Sequence, residues 1–80
     1  MGESARVLPT DEVDLLNDLM TDAESLAAIG RVVDGYKFLE FGLGWAEAAQ
    51  QRGVLWAEEL IRRYRLALDR YVTSYGLPRA

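Results

Sequence analysis

Apolar residues recur at helical spacing along the first half of the chain. They follow alternating steps of three and four residues, which keep one side of a helix apolar. The positions are Leu16, Leu19, Ala23, Leu26, Gly30 and Val33. Thr10 is a suitable N-cap, and Asp11 and Glu12 place negative charge at the positive end of the helix dipole. Thr21 and Glu24 have the spacing of a second capping box, through which we expect the helix to continue.

The second half of the chain predicts one long amphipathic helix that ends near Tyr75. Its apolar positions form an arc that is broad enough to contact two neighbouring elements. They are Trp45, Ala49, Trp56, Leu60, Tyr64, Ala67, Leu68, Tyr71 and Tyr75. Gly53 is expected to kink or divide this helix, at a cost of about 1 kcal/mol relative to alanine. Gly76 and Pro78 form a stop signal after it.

The connector between these helices, residues 31–41, is apolar and permits two interpretations. Asp34 and Gly35, between β-branched and aromatic residues, are typical of a type I′ β-hairpin. The alternative is a helix that contains Gly35, because apolar residues also recur at helical spacing. Those residues are Val32, Tyr36, Leu39 and Leu43. Under either interpretation the rings of this segment need to be covered.

The sequence therefore predicts a mainly α protein, either a small helical domain or a helical hairpin, with a short β-hairpin near residues 31–41 as the open alternative. The chain of 80 residues is expected to form one domain, residues 1–80, with residues 1–9 flexible. A chain of this size buries only about 60 to 65% of its unfolded surface. It contains no cysteine and no histidine, so disulfides and the usual zinc sites cannot stabilise it. Dense packing or oligomerisation must do so.

Several classes of function are disfavoured by composition. The apolar runs are far shorter than the roughly 18 residues that cross a bilayer, and the start of the chain lacks a secretory pattern. We therefore expect a cytoplasmic protein with no membrane contact. Without histidine or cysteine the serines lack their usual activating base, and the adjacent Glu58 and Glu59 diverge on a helix. We predict no enzyme activity, no cofactor and no metal site.

Charge divides the chain into two halves. Residues 1–40 carry nine acidic and three basic residues, a net charge of −6, whereas residues 41–80 carry four acidic and six basic residues, a net charge of +2. Four carboxylates share one side of the first helix, and we call them the acidic stripe: Asp11, Asp14, Asp18 and Asp22. The stripe is either a solvated surface or a site for a basic protein, a divalent ion or a partner that normally binds phosphate.

Arginines concentrate on the last helix, where Arg62, Arg63 and Arg65 form a basic cluster around Tyr64. Contact with nucleic acid is one interpretation. The favoured one is a solvated surface on which Glu58 pairs with Arg62 and Glu59 with Arg63. Each exposed pair of this kind contributes about 0.3 to 0.5 kcal/mol.

The stretch EAAQQRGVLWAEELIRRYR resembles the helix-turn-helix of small bacterial regulators. Ala49 is followed four residues later by Gly53 where the turn would lie, and an arginine-rich second helix comes after it. The resemblance implies a DNA-binding regulator that uses residues 45–65. The pattern departs from it at Arg52 and Glu59, where buried residues would be expected, and a pI near 4.6 does not favour nucleic acid.

The sequence favours non-catalytic protein binding, either as a homodimer or as a small accessory, inhibitor or adaptor subunit. Large aromatic side chains contribute most to binding when an interface desolvates them. The predicted contact residues are Tyr36, Phe38, Phe41, Trp45 and Trp56. Their alternative role is an ordinary intramolecular core, and the pattern alone does not separate the two.

Overall fold

The protein folds into three helices of nearly equal length. The computed structural model describes residues 9–77, with side chains from residue 12 onwards. The helices are α1 (Pro9–Ala28), α2 (Val32–Gln51) and α3 (Ala57–Tyr75), and no strand occurs within residues 9–77. The prediction of a small, mainly α domain is therefore confirmed. The segment expected to be flexible, residues 1–9, lies outside the described residues apart from Pro9, the first residue of α1.

Each helix is followed by a glycine in the left-handed region. The φ angles are +88° at Gly30, +82° at Gly53 and +67° at Gly76. These glycines allow the chain to turn back and satisfy helix-end carbonyls, as where Arg31 N donates to Leu26 O at 2.8 Å. Val54 N donates to Ala49 O in the same way, at 3.2 Å.

One predicted helix boundary is wrong, and one expected division is confirmed. The first helix continues through the second capping signal, as expected, but it ends at Ala28 and does not reach Val33. The helix after Trp45 is divided at Gly53, as expected, because α2 ends at Gln51 and α3 begins at Ala57. At both breaks the glycine has a positive φ.

The connector is helical, and the alternative of a β-hairpin near residues 31–41 is wrong. The segment forms the first half of α2, where Gly35 N donates to Arg31 O at 3.1 Å. The physical reason is burial, because the helix aligns Gly35, Leu39 and Gly42 on one buried side. A two-stranded hairpin is marginally stable without a surface to pack against.

Helix α2 is the centre of the domain and packs along both of its neighbours. Its buried residues follow steps of four and three: Gly35, Leu39, Gly42, Ala46 and Ala49. From the other helices the buried core receives Leu16, Ala23, Ala27, Leu60, Ile61, Tyr64 and Tyr71. Helices α1 and α3 make few direct contacts with each other. The core is therefore a row of side chains along α2 rather than a central cluster.

Two tyrosines of α3 pack across two glycines of α2. The ring of Tyr64 lies against Gly42, and its hydroxyl donates a hydrogen bond to the carbonyl oxygen of Leu16. Seven residues further along α3, the hydroxyl of Tyr71 lies against Gly35 and donates to Val32 O at 2.7 Å. A methyl group at either glycine would overlap the tyrosine that covers it. The two glycines thus let α3 approach α2 closely.

Tyrosines also connect α3 to α1. The hydroxyl of Tyr64 reaches the α1 backbone at Leu16 O, and the hydroxyl of Tyr75 donates to Glu24 of α1. Consequently α3 covers one side of the layer that α1 and α2 form. The opposite side of that layer receives no helix within residues 9–77.

Candidate protein-binding face

Ion pairs and hydrogen bonds to α3 show which side of α1 and of α2 faces that helix. On both helices, the residue that follows a core residue points to α3. Glu47 follows Ala46 and pairs with Arg65 of α3 at 3.3 Å. Glu24 follows Ala23 and accepts a hydrogen bond from the hydroxyl of Tyr75 at 3.5 Å.

The residue that precedes a core residue therefore points away from α3, because successive residues lie about 100° apart around a helix. On α2 these residues are Phe38, Phe41 and Trp45, which precede Leu39, Gly42 and Ala46. Trp45 confirms the direction, since its Nε1 donates to Glu12 Oε2 of α1 at 3.2 Å.

Helix α1 contributes leucines to the same side. The helices run antiparallel, and the residues that lie level with one another are Glu12 with Trp45, Leu16 with Gly42, and Ala23 with Gly35. This register places Leu15 beside Phe41 and Trp45, and Leu19 level with Phe38. We call these five residues the open face: Leu15, Leu19, Phe38, Phe41 and Trp45.

The open face exposes large apolar side chains. Phe41 is 63% exposed and Leu15 is 49% exposed. Phe38 lies at the border of exposure, whereas Leu19 and Trp45 are half-buried and rest on the core. The rings of Phe41 and Trp45 meet edge to face with centroids 5.9 Å apart. This arrangement holds two adjacent aromatic rings in a defined orientation at the surface.

The structure divides the five predicted aromatic residues into three groups. Phe38, Phe41 and Trp45 share the open face. Tyr36 follows the core residue Gly35 and so points to α3, where burial, with a hydrogen bond to Glu40, raises its pKa. Trp56 lies at the start of α3, half-buried, and its Nε1 is enclosed without an acceptor among the described residues. Tyr36 and Trp56 therefore do not join the other three.

The acidic stripe borders the α1 side of the open face. Asp22 precedes the core residue Ala23, and Asp14 and Asp18 lie on the exposed surface beside it. Their carboxylates form no ion pair with any residue whose side chain is described. The side chain of Asp11 lies outside the described residues. Asp14, Asp18 and Asp22 are thus exposed negative charges without a cation partner among the described side chains.

The basic cluster lies on α3, away from the open face. Arg62, Arg63 and Arg65 are exposed. Arg62 pairs with Glu59 rather than with Glu58, and Arg65 reaches across to α2. The predicted spacing of the Arg62 pair was therefore wrong by one residue.

The helices on either side of the turn at residues 52–56 pack side by side. Tyr64 lies over Gly42 and Tyr71 over Gly35, so α2 and α3 run antiparallel over most of their length. In a helix-turn-helix the two helices cross at about 90 to 120°. The antiparallel packing of α2 and α3 is that of a helical hairpin.

The described residues were compared with the requirements of a metal site, a ligand pocket and a membrane span. No group of three or more acidic residues among them could hold a metal ion. Two surface depressions are lined mainly by polar and charged side chains of α3, such as Arg70 and Ser74 in one and Arg62 and Arg65 in the other. Within residues 9–77 no helix is apolar enough over a sufficient length to span a membrane.

The packing of Tyr64 predicts a loss of stability at high pH. Burial raises the pKa of Tyr64 to about 12, whereas an unfolded tyrosine ionises near pH 10. The unfolded chain therefore loses its proton first, so the stability that neutral Tyr64 contributes is complete below about pH 10 and is lost as the pH rises through about 12.

We expect the ionisation of Tyr64 to lower the free energy of unfolding, measured in urea, by about 2 to 3 kcal/mol between pH 10 and 12. Tyr64→Phe removes the ionisation and keeps the ring, so this variant should show a shallower pH dependence. An equally steep fall in the variant would contradict the assignment.

Comparison of the chain with protein-family models, curated proteins and solved structures finds no match.

Leu15 and Leu19 were not predicted as contact residues. The signal for Leu15 was present, since the pair Leu15-Leu16 supplies one more leucine than a single apolar seam uses. Which of the two is exposed depends on the position of α3, and the sequence does not specify it.

Proposed function

We propose that this chain is a non-catalytic protein-binding module and that the open face is its contact surface. The observation that carries the proposal is the exposure of Phe41 and Leu15 on one side of the α1/α2 layer, opposite α3. Homodimerisation and a role as an accessory, inhibitor or adaptor subunit both fit this surface. We also propose a cytoplasmic location, because the chain has no cysteine that an oxidising compartment would pair.

Three features support the open face over other exposed apolar residues. Its members are contiguous, whereas Ile29 and Leu55 are single residues in the two turns. Trp45 rests on the core and its ring meets that of Phe41 edge to face, so less side-chain entropy remains for these two rings to lose on binding. Contiguous apolar surface with a polar border is typical of an interaction site in a small protein.

The proposal predicts that one substitution on the open face removes binding and a matched one elsewhere does not. Phe41→Asp places a charge on the open face, and Leu66→Asp does the same on the outer surface of α3. The two side chains are similarly exposed, at 63% and 56%, so neither change should unfold the domain.

The measurement is retention of cell proteins on the immobilised full-length chain, with the helix content of every variant checked by circular dichroism. Proteins retained by the wild type and by Leu66→Asp should be lost with Phe41→Asp. Equal retention by both variants would refute the proposal, as would a wild-type chain that retains no cell protein and is a monomer in sedimentation equilibrium.

A further inference from the structure

We infer that the open face receives a basic amphipathic helix from another protein. The inference rests on the proposed function and names the chemistry of the partner. It follows from the shape of the face, from the charge along its border and from the place of this chain's own arginines.

The shape of the open face suits a helix. Its members lie in two nearly parallel rows, with Leu15 and Leu19 on α1 and Phe38, Phe41 and Trp45 on α2. Two antiparallel helices leave a shallow groove between such rows, and a third helix can lay an apolar stripe into it. On the opposite side of the layer α3 occupies the equivalent position, with Tyr64 and Tyr71 reaching between the helices.

The charge along the border selects a basic helix. Helix α1 carries six acidic residues and no basic residue. One of them, Glu12, is already engaged by Trp45 and Arg52. Asp14, Asp18 and Asp22 repel one another at helical spacing, and no described cation compensates them. Lysine or arginine beside the apolar stripe of a partner would relieve that repulsion.

The opposite border of the face allows a close approach. Next to Phe41 on α2, Gly44 and Ala48 are both exposed. A Cβ at Gly44 would meet no atom within 4 Å, so nothing in the described chain requires glycine there. Glycine in the interior of an exposed helix weakens the helix relative to alanine. A partner backbone that passes close to this point would account for it.

A second copy of the chain is a poorer occupant. Two-fold packing through the open face would bring another acidic α1 helix to the same interface. Four exposed arginines of the copy lie on α3, on the other side of its layer, and would not reach the stripe: Arg62, Arg63, Arg65 and Arg70. Arg31 and Arg52, which flank α2, are already paired with Asp34 and Glu12. If α3 of a copy docked onto the face instead, the contact would be head-to-tail and would leave unfilled faces at both ends.

The test uses a synthetic amphipathic peptide of about five helical turns, with leucine on one side, lysine on both flanks and no tryptophan. Its twin carries glutamate in place of every lysine. Binding to the full-length chain is followed by anisotropy of a label on the peptide. It is followed separately by the emission of Trp45 in a Trp56→Phe variant, because the chain has two tryptophans. The lysine peptide should bind and the glutamate twin should not.

Two triple variants carry the same change in charge. Asp14→Asn with Asp18→Asn and Asp22→Asn should weaken binding of the lysine peptide by about tenfold, and high salt should produce a similar loss. Neutralisation of Glu58, Glu59 and Asp69 on α3 should leave it within about twofold. Phe41→Asp should remove binding, whereas Leu66→Asp should not.

The inference is overturned if the lysine peptide fails to bind, if both peptides bind equally, or if the two triple variants lose the same affinity. These failures are separate from failure of the proposed function. Retention of cell proteins that depends on Phe41 would then still identify the open face as a binding surface. A dimer in sedimentation equilibrium that Phe41→Asp dissociates would assign the face to a second copy and would also overturn the inference.

Discussion

Gly42→Ala is expected to destabilise the domain by about 1 to 3 kcal/mol, because a methyl group at this position overlaps the ring of Tyr64. The overlap involves the end of a ring whose hydroxyl is hydrogen-bonded to Leu16 O, so the ring cannot move aside without breaking that bond. Separation of α2 from α3 would disturb the core on both sides. The free energy of unfolding by urea measures the loss.

Gly44→Ala is the matched control for this prediction. It lies on the same helix, two residues away, and a Cβ there meets nothing within 4 Å. The substitution should stabilise the isolated chain by about 0.5 to 1 kcal/mol through helix propensity alone. The two changes are chemically identical, so their opposite signs isolate the contact with Tyr64.

A double-mutant cycle identifies the partner of Gly42. Tyr64→Leu removes the ring atoms that the added methyl group would meet, and it has a cost of its own. In that background Gly42→Ala should no longer destabilise the protein. If Gly42→Ala were harmless in the wild type, or equally harmful in both backgrounds, the tyrosine–glycine packing described here would be wrong.

Leu39→Ala is the second substitution with a large expected effect, at about 2 to 5 kcal/mol. Leu39 is 2% exposed and lies on the buried side of α2. Phe41, two residues away, is 63% exposed, and Phe41→Ala should cost less than about 1 kcal/mol even though it deletes the larger side chain. Urea unfolding of both variants provides the comparison.

This pair separates an interface residue from a core residue. A large loss of stability in Phe41→Ala would show that its ring belongs to the core and would remove it from the open face. Comparable losses in both variants would contradict the direction assigned to α2. The expected pattern is a stable Phe41 variant with weakened binding and a destabilised Leu39 variant.

Local signals in the sequence predicted much of the helical structure. Helical spacing identified α1 and the amphipathic character of α3, and Gly76 was correctly predicted as a stop. The apolar spacing across the connector also permitted the helix that forms there. Helix ends were harder, because Gly30 and Gly35 look alike in the sequence, yet only Gly30 adopts a positive φ. Gly35 stays helical because Tyr71 packs against it.

The position of the open face depends on contacts that are distant in sequence. Tyr36 and Trp45 lie nine residues apart and therefore point to opposite sides of α2. Which of these sides α3 covers follows from the match between tyrosines and glycines that are each seven residues apart. In the sequence, the spacing of the two glycines and the spacing of the two tyrosines are separate patterns. Nothing in the sequence shows that the helices that carry them pack together.

Photocrosslinking in living cells tests most directly whether the open face binds another polypeptide. The full-length chain would carry p-benzoylphenylalanine at position 41 in one variant and at position 66 in another, two sites of similar exposure on different surfaces. We expect a discrete crosslinked species from position 41 and none from position 66. Mass spectrometry should show that this species contains another protein and is not two crosslinked copies of the 9.0 kDa chain. Absence of any product from position 41, or the same products from both positions, would contradict a binding role for this face.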